Sequence, residues 1–158
     1  MFQGVWTIGL ENFERVRALR QRVNVELRGV PEKEEFDSLD AFAAHVYVET
    51  DGGEPIAAGR MYPDGTTVRI DRIAVMPEFS ALPYGELVLR MLLFKAQEMP
   101  QNSIAVLAEE GMFQLLPNFG FTRVSEPVAA RGGQTALYTC PGNAIIWDSA
   151  CKHHHEQS

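Results

Sequence analysis

The 158-residue sequence has few cysteines, no long apolar run and no excess of basic side chains. Cys140 and Cys151 are its only cysteines, and they form no CxxC pair, so no disulfide framework and no zinc or redox motif is predicted. No apolar run approaches the ~20 residues that a membrane-spanning helix needs. The N-terminus also lacks the basic-then-apolar pattern of a signal peptide. These absences favour a cytoplasmic protein without a membrane partner.

Acidic side chains outnumber basic ones by 21 to 14, which gives a formal net charge of −7 and a pI near 5.1. Nonspecific nucleic-acid binding needs a basic face that displaces counterions from phosphates, so no nucleic-acid partner is expected. An anionic ligand would have to be held by local groups. The "CKHHHEQS" tail predicts no metal site, because adjacent histidines seldom converge on one ion.

The length fits one domain, which we place at residues 1–140, followed by an extension over 141–158 that is expected to be partly disordered. Hydrophobic periodicity predicts the order β α β β β α β α β β. The pattern predicts a helix at 11–27, a surface loop at 28–40, strands at 44–50, 55–62 and 67–75 joined by Asp-Gly turns, a helix at 84–99 and a buried strand at 103–108. A brief helix near Pro117 and a last hairpin across "ARGGQ" complete the order. The fold class is α/β of the α+β type, with a mixed, mostly antiparallel sheet flanked by helices.

Several segments in this order resemble the GNAT superfamily of acyl-CoA N-acyltransferases. The segment "VNVELRGVPEKEEFD" is similar to the "VFVxEQGVPxxxExD" pattern of a small bacterial branch, and "GEPIAAGRMY", "RIDRIAVMPEF" and "LPNFGF" continue the match over roughly residues 5 to 140. The resemblance implies the GNAT fold and an N-acetyltransferase that moves an acetyl group from acetyl-CoA to an amine, by direct transfer in a ternary complex. The acceptor is a small-molecule or peptide amine of unknown identity.

The resemblance also implies where acetyl-CoA would bind. The backbone of Ile73, Ala74 and Val75 matches the strand that pairs with pantetheine, beside a bulge that splays the sheet. The pyrophosphate would rest on amides at the start of the next helix, with a basic side chain further along it. The residues that match this second part are Tyr84, Gly85, Glu86, Leu87 and Arg90.

The turn before that helix departs from the family pattern Arg/Gln-x-x-Gly-x-Gly/Ala. The chain reads "SALPYG", with Ser80 at the Arg/Gln position, Pro83 at the first glycine and Gly85 retained. Proline suits the first turn of a helix but has no N–H, so the change favours helix initiation and weakens the anion site. The alternative function is therefore a catalytically silent ligand-binding or interaction protein whose CoA site is weakened or lost.

Side chains on the acceptor side supply the remaining candidates. Asp71 matches a position where some family members carry a general base, although an ion pair with Arg69 or Arg72 is a competing interpretation. Glu26, His45 and Arg60 are candidate substrate contacts, each with a structural alternative. Leu107 and Leu116 occupy the positions of the family's Asn and of the Tyr that protonates the leaving thiolate. The sequence leaves a homodimer open, with "NAIIW" as the suspected contact.

Overall fold

The structure is a computed structural model that describes residues 2–147. One sheet of eight strands forms its centre. The strands are β1 (Phe2–Ile8), β2 (Ala44–Thr50), β3 (Pro55–Asp64), β4 (Thr67–Val75), β5 (Ser103–Glu109), β6 (Thr122–Arg123), β7 (Val128–Ala130) and β8 (Gly133–Pro141). Their order is β1-β2-β3-β4-β5-β8-β6, and β7 pairs with β8. The β4–β5 pair is parallel and the other pairs are antiparallel.

Helices cover the two faces of the sheet. Helix α3 (Tyr84–Gln97) crosses one face, where its buried residues Val88, Leu89, Leu92 and Leu93 join the larger core. Helix α1 (Glu14–Arg20) covers the other face, continues as a π-helical segment (Gln21–Leu27) and is followed by the short α2 (Glu32–Glu35). Phe13, Val16, Leu19 and Val23 form a second, smaller core with Tyr47, Ala58 and Ala74 of the sheet. The alternation of side chains along each strand supplies apolar groups to both cores.

Most of the predicted elements are present. The three meander strands, α3 and β5 begin where the sequence predicted, and the fold class is confirmed. The surface loop predicted for 28–40 was wrong in part, because it contains α2 and a 3₁₀ turn, and because Glu35 and Asp40 are buried. Strand β7 was not predicted; a two-residue turn, Arg131–Gly132, connects it to β8. The brief helix predicted near Pro117 is a pair of 3₁₀ turns.

The sheet opens between β4 and β5. Their parallel pairing runs only from Thr67 with Ser103 to Ile70 with Val106, although both strands continue further. Opposite Gly59, the register between β3 and β4 shifts, and Arg72 takes a φ of 54°, a left-handed conformation that is rare for a side chain of this size. This bulge bends the end of β4 away from β5 and leaves a gap in the sheet.

Candidate functional site

A cavity of about 400 Å³ lies in the gap between β4 and β5. Gly85 and Glu86, at the start of α3, line it on one face of the sheet, whereas Val23 and Arg28 line it from the face covered by α1. The other lining residues are Ile73, Ala74, Val75, Ser80, Leu82, Pro83, Glu109, Gly111, Met112 and Leu115. The cavity therefore spans the sheet, so that two ligands could meet in it from opposite faces.

The edge of β4 presents backbone groups to this cavity. The Met76 amide donates to the Ile56 carbonyl at 2.8 Å, which makes Val75 and Ala57 a pair without direct hydrogen bonds in the antiparallel ladder. The amide and carbonyl of Val75 consequently point away from β3 and toward the gap. An extended amide-containing chain could pair with them as an added strand does. Ile73, Ala74 and Val75 thus lie together where the sequence predicted the pantetheine contact.

The turn that precedes α3 offers two amides to the cavity. The Tyr84 amide donates to the Leu82 carbonyl at 2.9 Å, and the Leu87 amide donates to the Pro83 carbonyl at 3.0 Å. Within residues 2–147, the amides of Gly85 and Glu86 have no acceptor. Of the four predicted amides, Gly85 and Glu86 keep a free N–H at the positive end of a 14-residue helix.

The side chains around these amides add little positive charge. Arg90 Nε donates to the Glu86 carboxylate at 3.0 Å, and its guanidinium lies 4.9 Å from the centre of the Phe119 ring. Tyr84 is buried, with its ring 5.0 Å from that of Phe2. The Arg90 charge predicted to assist a pyrophosphate is therefore already shared with Glu86. A polyanion at this end of the cavity would depend on the two amides and on a rearrangement of that ion pair.

Asp71 and Arg60 belong to a network of charged side chains that we call the ionic cluster. Its members are Arg20, Glu35, Asp37, Asp40, Arg60, Asp71 and Arg72. Arg60 Nε and Nη2 donate to the two oxygens of Asp71, each at 2.8 Å, and Arg72 Nη1 donates to Asp71 Oδ2 at 2.9 Å. The Arg60 and Asp71 side chains are 1% and 8% exposed. Three hydrogen bonds thus occupy the Asp71 carboxylate, and Asp71 does not line the cavity.

The ionic cluster connects the bulge to the segment after α1. Arg72 donates to the carbonyls of Glu34 and Glu35 as well as to Asp71 and Asp37, so four acceptors hold its guanidinium. Burial alone would raise the pKa of Asp37, but its hydrogen bond with Arg60 and the charges of Arg60 and Arg72 bring that pKa below its ordinary value. The cluster therefore fixes the unusual backbone at Arg72 and with it the opening of the sheet.

His45 and Glu26 lie apart from the cavity. His45 is fully buried in β2, where Nε2 contacts the Asp40 carbonyl oxygen at 3.1 Å and Nδ1 has no partner among the described residues. Burial lowers its pKa, and the Asp40 contact opposes that shift only partly. The Glu26 side chain is 51% exposed and pairs with Arg22 on the surface. The structure does not bring these two predicted substrate contacts to the lining of the cavity.

Three charged residues that sequence reasoning missed form a group at the cavity, in which two line the cavity and the third pairs with one of these two; we call them the cavity mouth. They are Arg28, Glu109 and Arg131. Glu109 pairs with both arginines, and Arg131 Nη2 donates in addition to buried Glu35 at 2.6 Å. Arg131 stands in the β7–β8 turn with a φ of 55°, a position that favours glycine or asparagine. This unfavourable residue in a two-residue turn was the signal available in the sequence.

The described residues contain no group of three metal-ligating side chains. No helix among them is long and apolar enough to cross a membrane. Cys140 is buried in β8, and burial raises the pKa of its thiol, so it is not placed as a nucleophile. Cys151 and the His-rich tail lie outside the described residues, as does much of the extension predicted to be partly disordered.

Comparison with solved structures identifies the fold. An acyl-CoA N-acyltransferase from Pseudomonas aeruginosa superposes with a TM-score of 0.75 at 17% identity, covering 88% of this chain and 99% of the other. ElaA from Escherichia coli superposes with a TM-score of 0.75 at 18% identity, covering 87% of this chain and 99% of ElaA. A GNAT family acetyltransferase from Elizabethkingia anophelis, solved with acetyl-CoA bound, superposes with a TM-score of 0.68 at 18% identity. The match covers 89% of this chain and 97% of the other. No family model matches the sequence. At these identities the likeness concerns the fold, and the chain has the fold of the GNAT acyl-CoA N-acyltransferases.

Proposed function

We propose that the protein transfers an acyl group from CoA to a primary amine within a ternary complex. The observation that carries this proposal is the cavity that spans the sheet between β4 and β5. An acyl-CoA would enter from the α3 face, and an amine would reach the thioester from the α1 face. Such an arrangement holds both reactants in line, and this proximity is a large part of what an enzyme supplies to a bimolecular reaction.

The acyl-CoA, with acetyl-CoA as the simplest case, would bind along β4. The backbone groups of Ile73 to Val75 would pair with the pantetheine amides, and Met112 and Leu115 would cover its apolar parts. The free amides of Gly85 and Glu86 would receive the pyrophosphate. Because Pro83 supplies no N–H and Glu86 supplies a carboxylate, we expect this binding to be weaker than a turn rich in glycine and arginine would give.

The chemical step joins the amine nitrogen to the acyl carbon and breaks the carbon–sulfur bond. An ammonium first loses one proton, and the free amine then attacks the thioester carbonyl. The electron pair of the carbon–sulfur bond leaves with sulfur, the nitrogen loses its second proton, and the thiolate takes a proton from solvent. The net products are an amide, free CoA and one proton. None of the described tyrosines lines the cavity, so water serves as the acid for the thiolate.

Two carboxylates compete for the first proton. Asp71 is the base predicted from the sequence, but three hydrogen bonds from arginines already occupy it. Glu109 lines the cavity and is 14% exposed. We assign the proton transfer to Glu109 because a base must reach its substrate directly or through one water. Comparing kcat for Glu109→Gln and Asp71→Asn separates the two assignments, provided that both variants are folded.

The test of this function is acylation of a broad panel of primary amines with acetyl-CoA, followed by CoA release and by the mass of the product. Amide formation that depends on both substrates supports the proposal. Acetyl-CoA binding without acylation of any amine would instead favour the silent ligand-binding protein, an alternative motivated by the Ser80–Pro83 turn.

A further inference from the structure

Arg28 differs from the arginines of the ionic cluster in having an unused hydrogen-bonding edge. Arg20, Arg60 and Arg72 each donate through Nε, Nη1 and Nη2. Arg28 donates only through Nη1, to Glu109 and, at 3.5 Å, to Asn24 Oδ1. Within the part of the chain that the structure describes, its Nε and Nη2 have no acceptor. This edge matches the two oxygens of a carboxylate.

The Arg28 side chain belongs to the lining of the cavity. Arg28 and Glu109 both line it, with side chains that are 31% and 14% exposed. In the ionic cluster, the same Nε/Nη2 edge of Arg60 holds both oxygens of Asp71 at 2.8 Å. Asp71 therefore shows, within this protein, the kind of partner that the free edge of Arg28 would accept. A ligand carboxylate could bind there without displacing Glu109.

The charges of the mouth and the ionic cluster indicate what else the ligand carries. Their ion pairs join five arginines to five carboxylates, so the two sets together are neutral. A ligand with both a cation and an anion preserves that balance, whereas a simple amine or a simple anion disturbs it. In a partly buried site an unbalanced charge is costly. An ammonium beside Glu109 and a carboxylate on Arg28 would keep both partners satisfied.

We propose that the acceptor is a free amino acid, whose carboxylate binds the Nε/Nη2 edge of Arg28 and whose amino group meets Glu109 at the acyl end of the cavity. This inference rests on the proposed acyltransferase function and narrows its substrate class. Val23, which lines the cavity from the α1 face, gives this end of the cavity an apolar wall. Apolar side chains such as those of leucine, methionine and phenylalanine fit this lining.

Two further contacts position Arg28 for this role. A Cβ added at Gly132 would clash with the carbonyl of Arg28, so the β7–β8 turn packs directly on the backbone of Arg28. Arg131, the neighbour of Gly132, holds Glu109 at 3.2 Å. The turn thereby fixes Arg28 and Glu109 relative to each other, and this explains why the strained turn carries an arginine.

The test compares three acceptors on the full chain: leucine, methionine or phenylalanine, the carboxamide of each, and the corresponding amine without the carboxylate. With acetyl-CoA as donor, we expect kcat/KM for the amino acids to exceed that for the carboxamides by about tenfold to a hundredfold, the effect of a charged hydrogen-bonded pair. The difference should lie mainly in KM, because Arg28 binds a group that does not react. This comparison needs no variant.

Variants then assign the effect to Arg28. Arg28→Met and Arg28→Lys should both lower the ratio of kcat/KM for the amino acid to kcat/KM for its carboxamide toward one. Arg123→Met, which removes an exposed arginine paired with Glu126, is the matched control. It should leave kcat/KM unchanged for both the amino acid and its carboxamide. Kd for acetyl-CoA should be the same in all four proteins.

Three outcomes would overturn the inference while leaving the acyltransferase proposal intact. The carboxamides could be acylated with the same kcat/KM as the amino acids, or the Arg28 variants could lower kcat/KM equally for all three classes of acceptor. Succinyl-CoA could also be preferred to acetyl-CoA in a manner that depends on Arg28, which would place an acidic acyl group on its free edge. If acetyl-CoA binds but no amine of any class is acylated, the acyltransferase function and this inference fall together.

Discussion

The two neighbourhoods of the cavity use charge in opposite ways. On the α1 face, the ionic cluster surrounds each of its arginines with acceptors, and most of its side chains are inaccessible. At the start of α3, the turn from Ser80 to Glu86 offers two free amides, one carboxylate and an arginine that is already paired. The comparison indicates that the richly bonded part maintains the shape of the cavity, whereas the sparse part must bind any ligand with few groups.

The largest effect should come from the ionic cluster. Asp71→Ala leaves Arg60 and Arg72 without a shared acceptor in a buried position, and we expect a loss of about 3–5 kcal/mol in the free energy of unfolding. Asp64→Ala is the matched control, because Asp64 pairs with Arg69 on the surface, with side chains 58% and 39% exposed. It should cost no more than about 1 kcal/mol. Urea denaturation measures both values.

A wild-type unfolding midpoint in Asp71→Ala would show that the cluster does not maintain the fold. If Asp71→Asn is folded and stable but loses kcat with unchanged KM, the carboxylate acts in catalysis as the sequence predicted. The same pair of measurements on Glu109→Gln should show a large loss of kcat in a protein that remains folded, because Glu109 lines the cavity.

The next largest effect should come from the turn before α3, which has few groups that could bind a ligand. The double variant Ser80→Arg, Pro83→Gly adds a positive side chain and one amide N–H to the turn. We expect it to bind CoA about tenfold more tightly or better, which corresponds to roughly 1.4 kcal/mol. The gain should shrink as ionic strength rises, because it comes from partly exposed charge. Isothermal titration at two salt concentrations measures it, and an unchanged Kd would mean that the turn does not contact the ligand.

A third prediction uses pH to probe the buried face. Because burial lowers the pKa of His45 below its ordinary value of 6.5, the unfolded chain takes up a proton before the folded protein does as the pH falls. Stability should therefore decline between pH 6.5 and the lower pKa of the folded state. His45→Gln removes this titration, so its unfolding free energy should vary less between pH 7.5 and pH 5. Equal slopes in the two proteins would contradict the assignment.

The smallest effect should come from the exposed pair of Arg22 and Glu26, one turn apart in the π-helical segment. Arg22→Ala should change the free energy of unfolding by less than about 0.5 kcal/mol, since exposed pairs at this spacing contribute little. If Glu26 binds the acceptor as the sequence resemblance implies, Glu26→Gln would raise KM for the amine. Steady-state kinetics on both variants tests that contact.

The sequence predicted the fold from local patterns. Asp-Gly turns and alternating residues set out β2, β3 and β4. The spacing of Leu87, Val88, Met91 and Leu92 predicted the apolar face of α3, of which Val88 and Leu92 are fully buried and Leu87 is exposed. It did not predict that Arg20 is 1% exposed, because an arginine between apolar helix positions normally faces solvent. Its partners Glu35 and Asp40 come from a segment that read as an acidic surface loop. Their burial depends on pairing across the tertiary fold.

The sequence predicted the parts of the candidate site that lie within single strands and helices, but not the parts formed by side chains from distant segments. The β4 edge and the start of α3 line one cavity, and both belong to elements that the sequence pattern defines. The cavity mouth joins Arg28 to Glu109 across 81 residues, and Arg131 reaches both Glu35 and Glu109 from the turn of the last hairpin. Contacts over such distances follow from topology, which one sequence does not specify.

Isothermal titration of the protein with acetyl-CoA and with free CoA, alongside Gly85→Leu, tests the central claim most directly. A Cβ at Gly85 would stand 3.5 Å from Val75 and 4.0 Å from Met112, so a leucine side chain there would fill the cavity. We predict micromolar binding by the protein, about −8 kcal/mol, and loss of binding in the variant. No heat at high ligand concentration, together with no thermal shift, would contradict the account, as would equal binding by Gly85→Leu.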